Sequence, residues 1–257
     1  MRLAVLASGS KGNAAFIEHD STLLLLDCGL SLRSLKKRSE ELGVALEDIT
    51  AILISHEHTD HTNSLGIFIR RFSPVVYMTR GTALQLELAE DDFQPLRAYQ
   101  PQVIGSISVL PYTLPHDARE PVQFVFAEKD GARLGFATDI GRPLARIAEI
   151  LSGCNALVLE CNYDPQMLED NPNYPRSVKE RISGGYGHLS NAQAGELLAL
   201  IGKAGPSKLI AAHMSENNNS PQIAEAELQL QLRKIDVNPQ LTLAGQSQPT
   251  GWIEINS

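Results

Sequence analysis

The sequence predicts an α+β protein of stacked layers, two β-sheets packed face to face with helices outside. Three observations carry this. Short apolar runs of strand length recur along the chain, bounded by Gly, Pro, Asp and Ser, as strands buried on at least one face would be. Between them lie segments whose apolar residues repeat at helical spacing. Residues able to bind a metal stand where several of the runs stop, the edge at which sheet-built enzymes place their chemistry.

The first run is Leu3–Leu6. Its apolar stretch ends at Ala7 and is shorter than the core of a secretory leader, so it reads as the first strand. Ser8-Gly9-Ser10-Lys11-Gly12-Asn13 lacks the Gly-x-x-x-x-Gly-Lys-Ser/Thr form of a nucleotide loop and reads as a tight turn. Leu23–Leu26 is the next strand. Leu30–Leu42 sets Leu32, Leu35 and Leu42 on one face with basic residues opposite, the pattern of a surface helix. Ile52–Ile54 and Val75–Met78 read as strands, with helix-like Ser64–Phe72 between them and Thr82–Ala89 after them.

Strands follow at Ile107–Leu110, Val122–Ala127 and Leu134–Ala137, then a helix at Leu144–Leu151 and a strand at Leu157–Leu159. Asp164–Gly187 contains Pro165, Pro172, Pro175, Gly184, Gly185 and Gly187, and is expected to be a mobile loop. Ala192–Ile201 reads as a helix, Leu209–Ala212 as a strand and Pro221–Leu232 as a helix. Without a long linker or a fine-period repeat, residues 1–257 are expected to form a single domain.

Composition narrows the function. A hydrophobic share of 43% and a charged share of 20% are those of a soluble globular chain. Aromatics make up 5%, which argues against several bases stacked on a row of aromatic platforms. The net charge of −8 is unlike a surface that coats nucleic acid, although two divalent metals would add about four positive charges locally. No stretch approaches the ~20 apolar residues of a membrane span. The cysteines Cys28, Cys154 and Cys161 have no paired spacing, so buried free thiols and a reducing, cytoplasmic compartment are expected.

The chemistry concentrates in Ser55-His56-Glu57-His58-Thr59-Asp60-His61, directly after an apolar run. Imidazole with carboxylate suits zinc, manganese or iron better than calcium or magnesium. Further candidates follow: His116, Asp139, His188 and His213, with Asp139 and His213 each ending an apolar run. His19, between Glu18 and Asp20, reads as plain surface.

His-x-His-x-Asp-His followed by single His, Asp and His at long intervals resembles the metallo-β-lactamase fold. So does the opening Ala7–Asn13 with Leu23–Asp27 and Cys28-Gly29. Glu160-Cys161-Asn162-Tyr163-Asp164, Gly187–Asn191 and His213–Pro221 are similar to the YycJ (WalJ) branch of that superfamily. The resemblance implies a four-layer αββα sandwich with metals at one edge between the sheets. It implies His56, His58 and His116 on one metal, Asp60, His61 and His213 on a second, and Asp139 bridging. It also implies that His188, paired with Glu160, protonates a leaving oxygen, as a similar pair is thought to do in the tRNA-processing branch.

The expected activity is therefore a phosphodiesterase with two divalent metals, zinc foremost, acting on nucleic acid. The branch implies a DNA exonuclease working from the 5′ end. Arg176, Lys179, Arg181 and Asn217 are candidates for holding substrate. The alternatives are a small cyclic-phosphate diesterase, a thioester or lactam hydrolase, and a non-catalytic metal-binding protein. His61 and the missing leader argue against a lactamase. Asp139 and His213 stand too close in sequence for the inserted domain of the large nucleases.

Overall fold

The computed structural model describes residues 1–129 and 131–256. Two compact units emerge, one made of Met1–Thr113, Ala118–Ala132 and the C-terminal stretch from Gly245, the other of Leu114–Asp117 and Arg133–Ala244.

The first unit contains β1 (Arg2–Ala7), β2 (Ala14–His19), β3 (Thr22–Leu26), α1 (Leu32–Glu41), β4 (Ala51–Leu53), α2 (Thr59–Thr62), α3 (Leu65–Phe72), β5 (Val75–Thr79), α4 (Arg80–Gln85) and β6 (Gln94–Leu96). β1 to β6 pair in sequence order, and the short strand Ile253–Glu254 adds to β1. Pairing is antiparallel through β1–β2–β3 and parallel from β3 to β6. An antiparallel ladder of β7 (Gln102–Ile104), β8 (Ile107–Thr113) and β9 (Val122–Ala127) follows.

All five residues of β3 are buried, which explains its unbroken apolar run. Phe16, Leu25, Ile52 and Met78 of this sheet pack with Leu35 of α1 and Phe68 of α3 in one core. Each such side chain contributes about 1.5–3 kcal/mol on leaving water. Ser31 caps α1 by accepting from Ser34 N at 3.2 Å.

The second unit is parallel: β10 (Arg133–Ala137), β11 (Ala156–Glu160), β12 (Lys208–Ala212) and β13 (Gln240–Leu243) lie side by side in that order. Its helices are α5 (Ala145–Leu151), α6 (Pro165–Asp170), α7 (Arg176–Ser183), α8 (Asn191–Ile201) and α9 (Pro221–Lys234). Parallel pairing brings the C-terminal ends of these strands to one edge. The register puts Ala137 beside Leu159 and Glu160 beside Ala212. Asp139, Glu160 and His213 therefore meet although they are distant in sequence.

Several expectations need correction. Asp164–Gly187 is not an irregular loop: Asp164 caps α6 with Pro165 behind it, and Pro175 precedes α7, so the prolines start helices rather than break them. β2, β6, β7, β13 and the last strand are absent from the apolar runs. β2 is two alanines and two large apolar residues before Glu18, and β6 tolerates Pro95 because it pairs on one side with β5 alone. α4 starts at Arg80, two residues earlier than expected, because Thr79 caps it. Ser220 caps α9 by accepting from Ile223 N at 3.2 Å.

Among the described residues no helix is long and apolar enough to cross a membrane.

Candidate metal centre

In the first unit the site grows from the ends of β3 and β4. Asp27 leaves β3 with a left-handed backbone, φ 60°. Its Oδ1 accepts from Ser55 N at 2.9 Å and its Oδ2 from Ser55 Oγ at 3.0 Å, fixing the chain just before His56. Oδ2 also lies 2.8 Å from Nδ1 of His61. Ser55 Oγ stands 3.0 Å from Nδ1 of His56.

With Nδ1 of both rings held by oxygen, Nε2 is the nitrogen turned to a ligand role. Nε2 of His56 lies 3.1 Å from Nδ1 of His58, and Nε2 of His61 lies 3.4 Å from Oδ2 of Asp60. Two ligand atoms on one tetrahedral zinc at 2.0–2.1 Å stand about 3.3 Å apart, so both spacings match such an edge.

Backbone packing sets α2, the single turn bearing Asp60 and His61. Asn13 N donates to Asp60 O at 2.7 Å and Cys28 N to His61 O at 2.7 Å. Asn13 Nδ2 lies 3.2 Å from Asp60 Oδ2 and 3.1 Å from His61 Nε2. A Cβ on Gly29 would fall 1.6 Å from Asp60 O, so only glycine admits this approach. Glu57 Oε1 accepts from Arg119 N at 2.7 Å; it braces a neighbouring segment.

In the second unit the ligand types gather at the parallel strand ends. Asp139 and His213 leave β10 and β12 with φ 61° and 54°, the same left-handed exit as Asp27. Nonglycine residues held there signal a position the surroundings enforce. His213 Nε2 lies 3.4 Å from Asp139 Oδ1, again the span of a tetrahedral edge. Nδ1 of His213 faces Glu160 Oε1 at 3.1 Å, and Asn162 Nδ2 donates to His213 O at 2.8 Å. His116 Nδ1 donates to Gly187 O at 3.2 Å. His116, Asp139 and His213 are all buried.

Glu160 Oε1 also lies 2.8 Å from Nδ1 of His188, while Oε2 accepts from Ile140 N at 2.9 Å and Leu189 N at 3.1 Å. Burial alone would raise this carboxyl. The charge and hydrogen bond of His188, then those of His213, outweigh it and hold Glu160 well below the usual carboxylate range. His188 is 18% exposed where Glu160 is fully covered, so the imidazole is the member of the pair that solvent or substrate reaches.

The other sequence candidates lie on and beside α7. Arg176 pairs with Glu180 at 2.6 Å, Lys179 donates to Glu169 O, and Arg181 stands 3.4 Å from Asp117, next to His116. Asn217 is exposed and donates to Tyr174 Oη at 3.2 Å.

The sequence does not single out Asp27, Ser55 and Asn162, which the structure sets beside the candidate ligands. Asp27 carried a usable signal, an Asp closing an apolar run as Asp139 does. Ser55 and Asn162 carried none. They are ordinary polar residues whose role exists only through pairing in space.

The chain is similar to proteins of one superfamily. A model of the β-lactamase superfamily domain matches residues 22–214. Exodeoxyribonuclease YycJ of Bacillus anthracis is 31% identical over 229 residues, covering 87% of this chain and 86% of that protein. Exodeoxyribonuclease WalJ of Streptococcus pneumoniae serotype 2 is 30% identical over 243 residues, covering 92% and 90%. Among solved structures, the metallo-β-lactamase fold protein YhfI from Bacillus subtilis superposes with a TM-score of 0.71 at 15% identity, covering 98% of this chain and 99% of that one.

Proposed function

The chain belongs to the β-lactamase superfamily, in the branch of the YycJ and WalJ exodeoxyribonucleases, and from that premise we propose that it is a two-metal phosphodiesterase that degrades DNA from the 5′ end. The observation that carries the metal reading is the repeated ligand arrangement. His56, His61, His116 and His213 each have Nδ1 against an outer partner, which leaves Nε2 for a metal, the usual dress of a metal-binding histidine. Imidazole and carboxylate donors without thiolate fit zinc first, and manganese or iron next.

In this reading His56, His58 and His116 would hold one ion and Asp60, His61 and His213 the other, with Asp139 serving both. When bound, such a pair activates a water and neutralises charge on a phosphodiester. The chain's own residues do the rest. Glu160 fixes Nδ1 of His188, so Nε2 is the atom from which a proton passes to the leaving oxygen. Asp27 holds the imidazole of His61 and Glu160 that of His213, while Asn162 anchors the His213 carbonyl. Arg176, Lys179, Arg181 and Asn217 are assigned to the nucleic-acid backbone. Three buried free cysteines suit a cytoplasmic, reducing setting.

The test is an end-labelled DNA duplex followed over time at several salt concentrations, beside RNA and a cyclic nucleotide. Progressive loss from the 5′ end is expected, with a shallow salt dependence, each phosphate contact adding about −0.9 to the log–log slope. Release of the 3′ label first would refute the polarity. Hydrolysis of the cyclic diester with DNA untouched would replace this function with the small-molecule one.

A further inference from the structure

We propose, resting on the nuclease reading above, that Tyr186 is a stacking platform for one nucleobase beside the scissile phosphodiester, with Arg142 pairing the adjoining phosphate. Tyr186 is 62% exposed, and the one other exposed aromatic among the described residues is Tyr99 at 43%. A lone exposed ring is ordinary on a protein surface. The support beneath this one is not.

Tyr186 sits at the corner of a closed turn in which Gly187 N donates to Gly184 O at 2.9 Å, and His188 N then donates to Ile182 O at 2.8 Å. The turn is wedged on two sides. A Cβ on Gly187 would lie 2.2 Å from the carbonyl oxygens of Arg181 and Ile182. A Cβ on Gly141 would lie 2.3 Å from Gly185 O and 2.5 Å from the Tyr186 Cα. The carbonyl of Gly187 accepts from His116 Nδ1. The ring is thus displayed on backbone locked to the chemistry, two residues and no more than about 7 Å of chain from His188.

Arg142 follows Gly141 and is exposed; its Cδ lies 3.8 Å from where a Cβ of Gly185 would stand. An exposed aromatic ring with an arginine on the backbone packed against its turn suits a nucleotide, base on the ring and phosphate on the cation. Stacking reads no hydrogen-bond pattern and accepts every base, as an exonuclease requires. The scarcity of aromatics points to a single platform, not a row.

The experiment compares wild type, Tyr186→Ala, Tyr186→Leu and Tyr186→Phe on two labelled strands. One is a normal strand, and the other carries an abasic site at one of the first positions from the cleaved end. On normal DNA, the Ala and Leu variants are expected to lose on the order of 10-fold in kcat/KM, chiefly through KM. Tyr186→Phe should behave as wild type. At one abasic position wild type should show the same loss, and Tyr186→Ala no further loss, because both changes remove one contact.

Leu fills space without a π face, so a Leu variant equal to wild type would overturn stacking. Losses that add in full at every abasic position would overturn it too, as would a Tyr186→Ala enzyme as active as wild type on normal DNA. A wild-type protein that cleaves neither strand would overturn the nuclease reading, and the platform with it.

Discussion

Oδ2 of Asp27 lies 2.8 Å from Nδ1 of His61, and both side chains are buried. The carboxylate fixes the ring and leaves Nε2 on the side of Asp60. Asp27→Asn keeps the shape and removes the charge. It should weaken metal affinity about 10–100-fold, the usual cost of losing such an outer partner. Competition against a graded chelator measures it, and an unchanged curve would show that Asp27 serves the fold alone.

Purified without chelator, the protein should contain about two metal ions per chain. Asp139→Ala should lower the content of both, since Asp139 is assigned to each. Mass-spectrometric metal analysis decides this; a stoichiometry that stays at one ion in wild type, with Asp139→Ala matching it, would refute the shared role.

His188→Ala should keep its metals and lose about 10²–10⁴ in turnover on DNA, the range of a general acid. A diester with a nitrophenolate leaving group, which departs without a proton, should be far less affected. Equal losses on both substrates would remove His188 from leaving-group protonation.

Gly29→Ala should destabilise the protein by about 1–3 kcal/mol, because the new methyl meets Asp60 O and Asn13 N and the turn must move. Metal content should fall with it, as that turn bears Asp60 and His61. Thermal melting with metal analysis is the readout. A wild-type melting temperature would mean that the turn yields freely.

The thiols should be silent in the folded protein. Burial pushes Cys154 up to about 11, against a smaller opposing pull from Arg133. Burial, then the neighbouring carboxylates Asp27 and Glu160, raises Cys28 and Cys161 well beyond the ordinary thiol range. At pH 8 almost no thiolate exists, so a disulfide reagent should label none of the three within minutes and all of them in denaturant. Rapid native labelling of Cys28 or Cys161 would show that the strand ends beside them open readily.

The sequence alone determined the strands with strong apolar runs, the helices with clear periodicity and the candidate metal ligands. Those features are local: Leu23–Leu26 announces a buried strand whatever it pairs with, and four potential ligands within His56–His61 point to a metal whatever surrounds them. Tertiary structure alone decided the rest. β6 and β13 are too short and mixed in polarity to declare themselves, and exist through pairing with a neighbour. Helix α7 hides in a stretch dense in Pro and Gly, where the same residues can start a helix or prevent one. Asp27, Ser55 and Asn162 became site residues only through contacts made across 28 to 51 positions of chain. Glu160 meets His213 because β11 and β12 run parallel in one register, and meets His188 because the backbone of Leu189 bonds to Glu160 and Asn162; both are pairings in space that no single segment encodes.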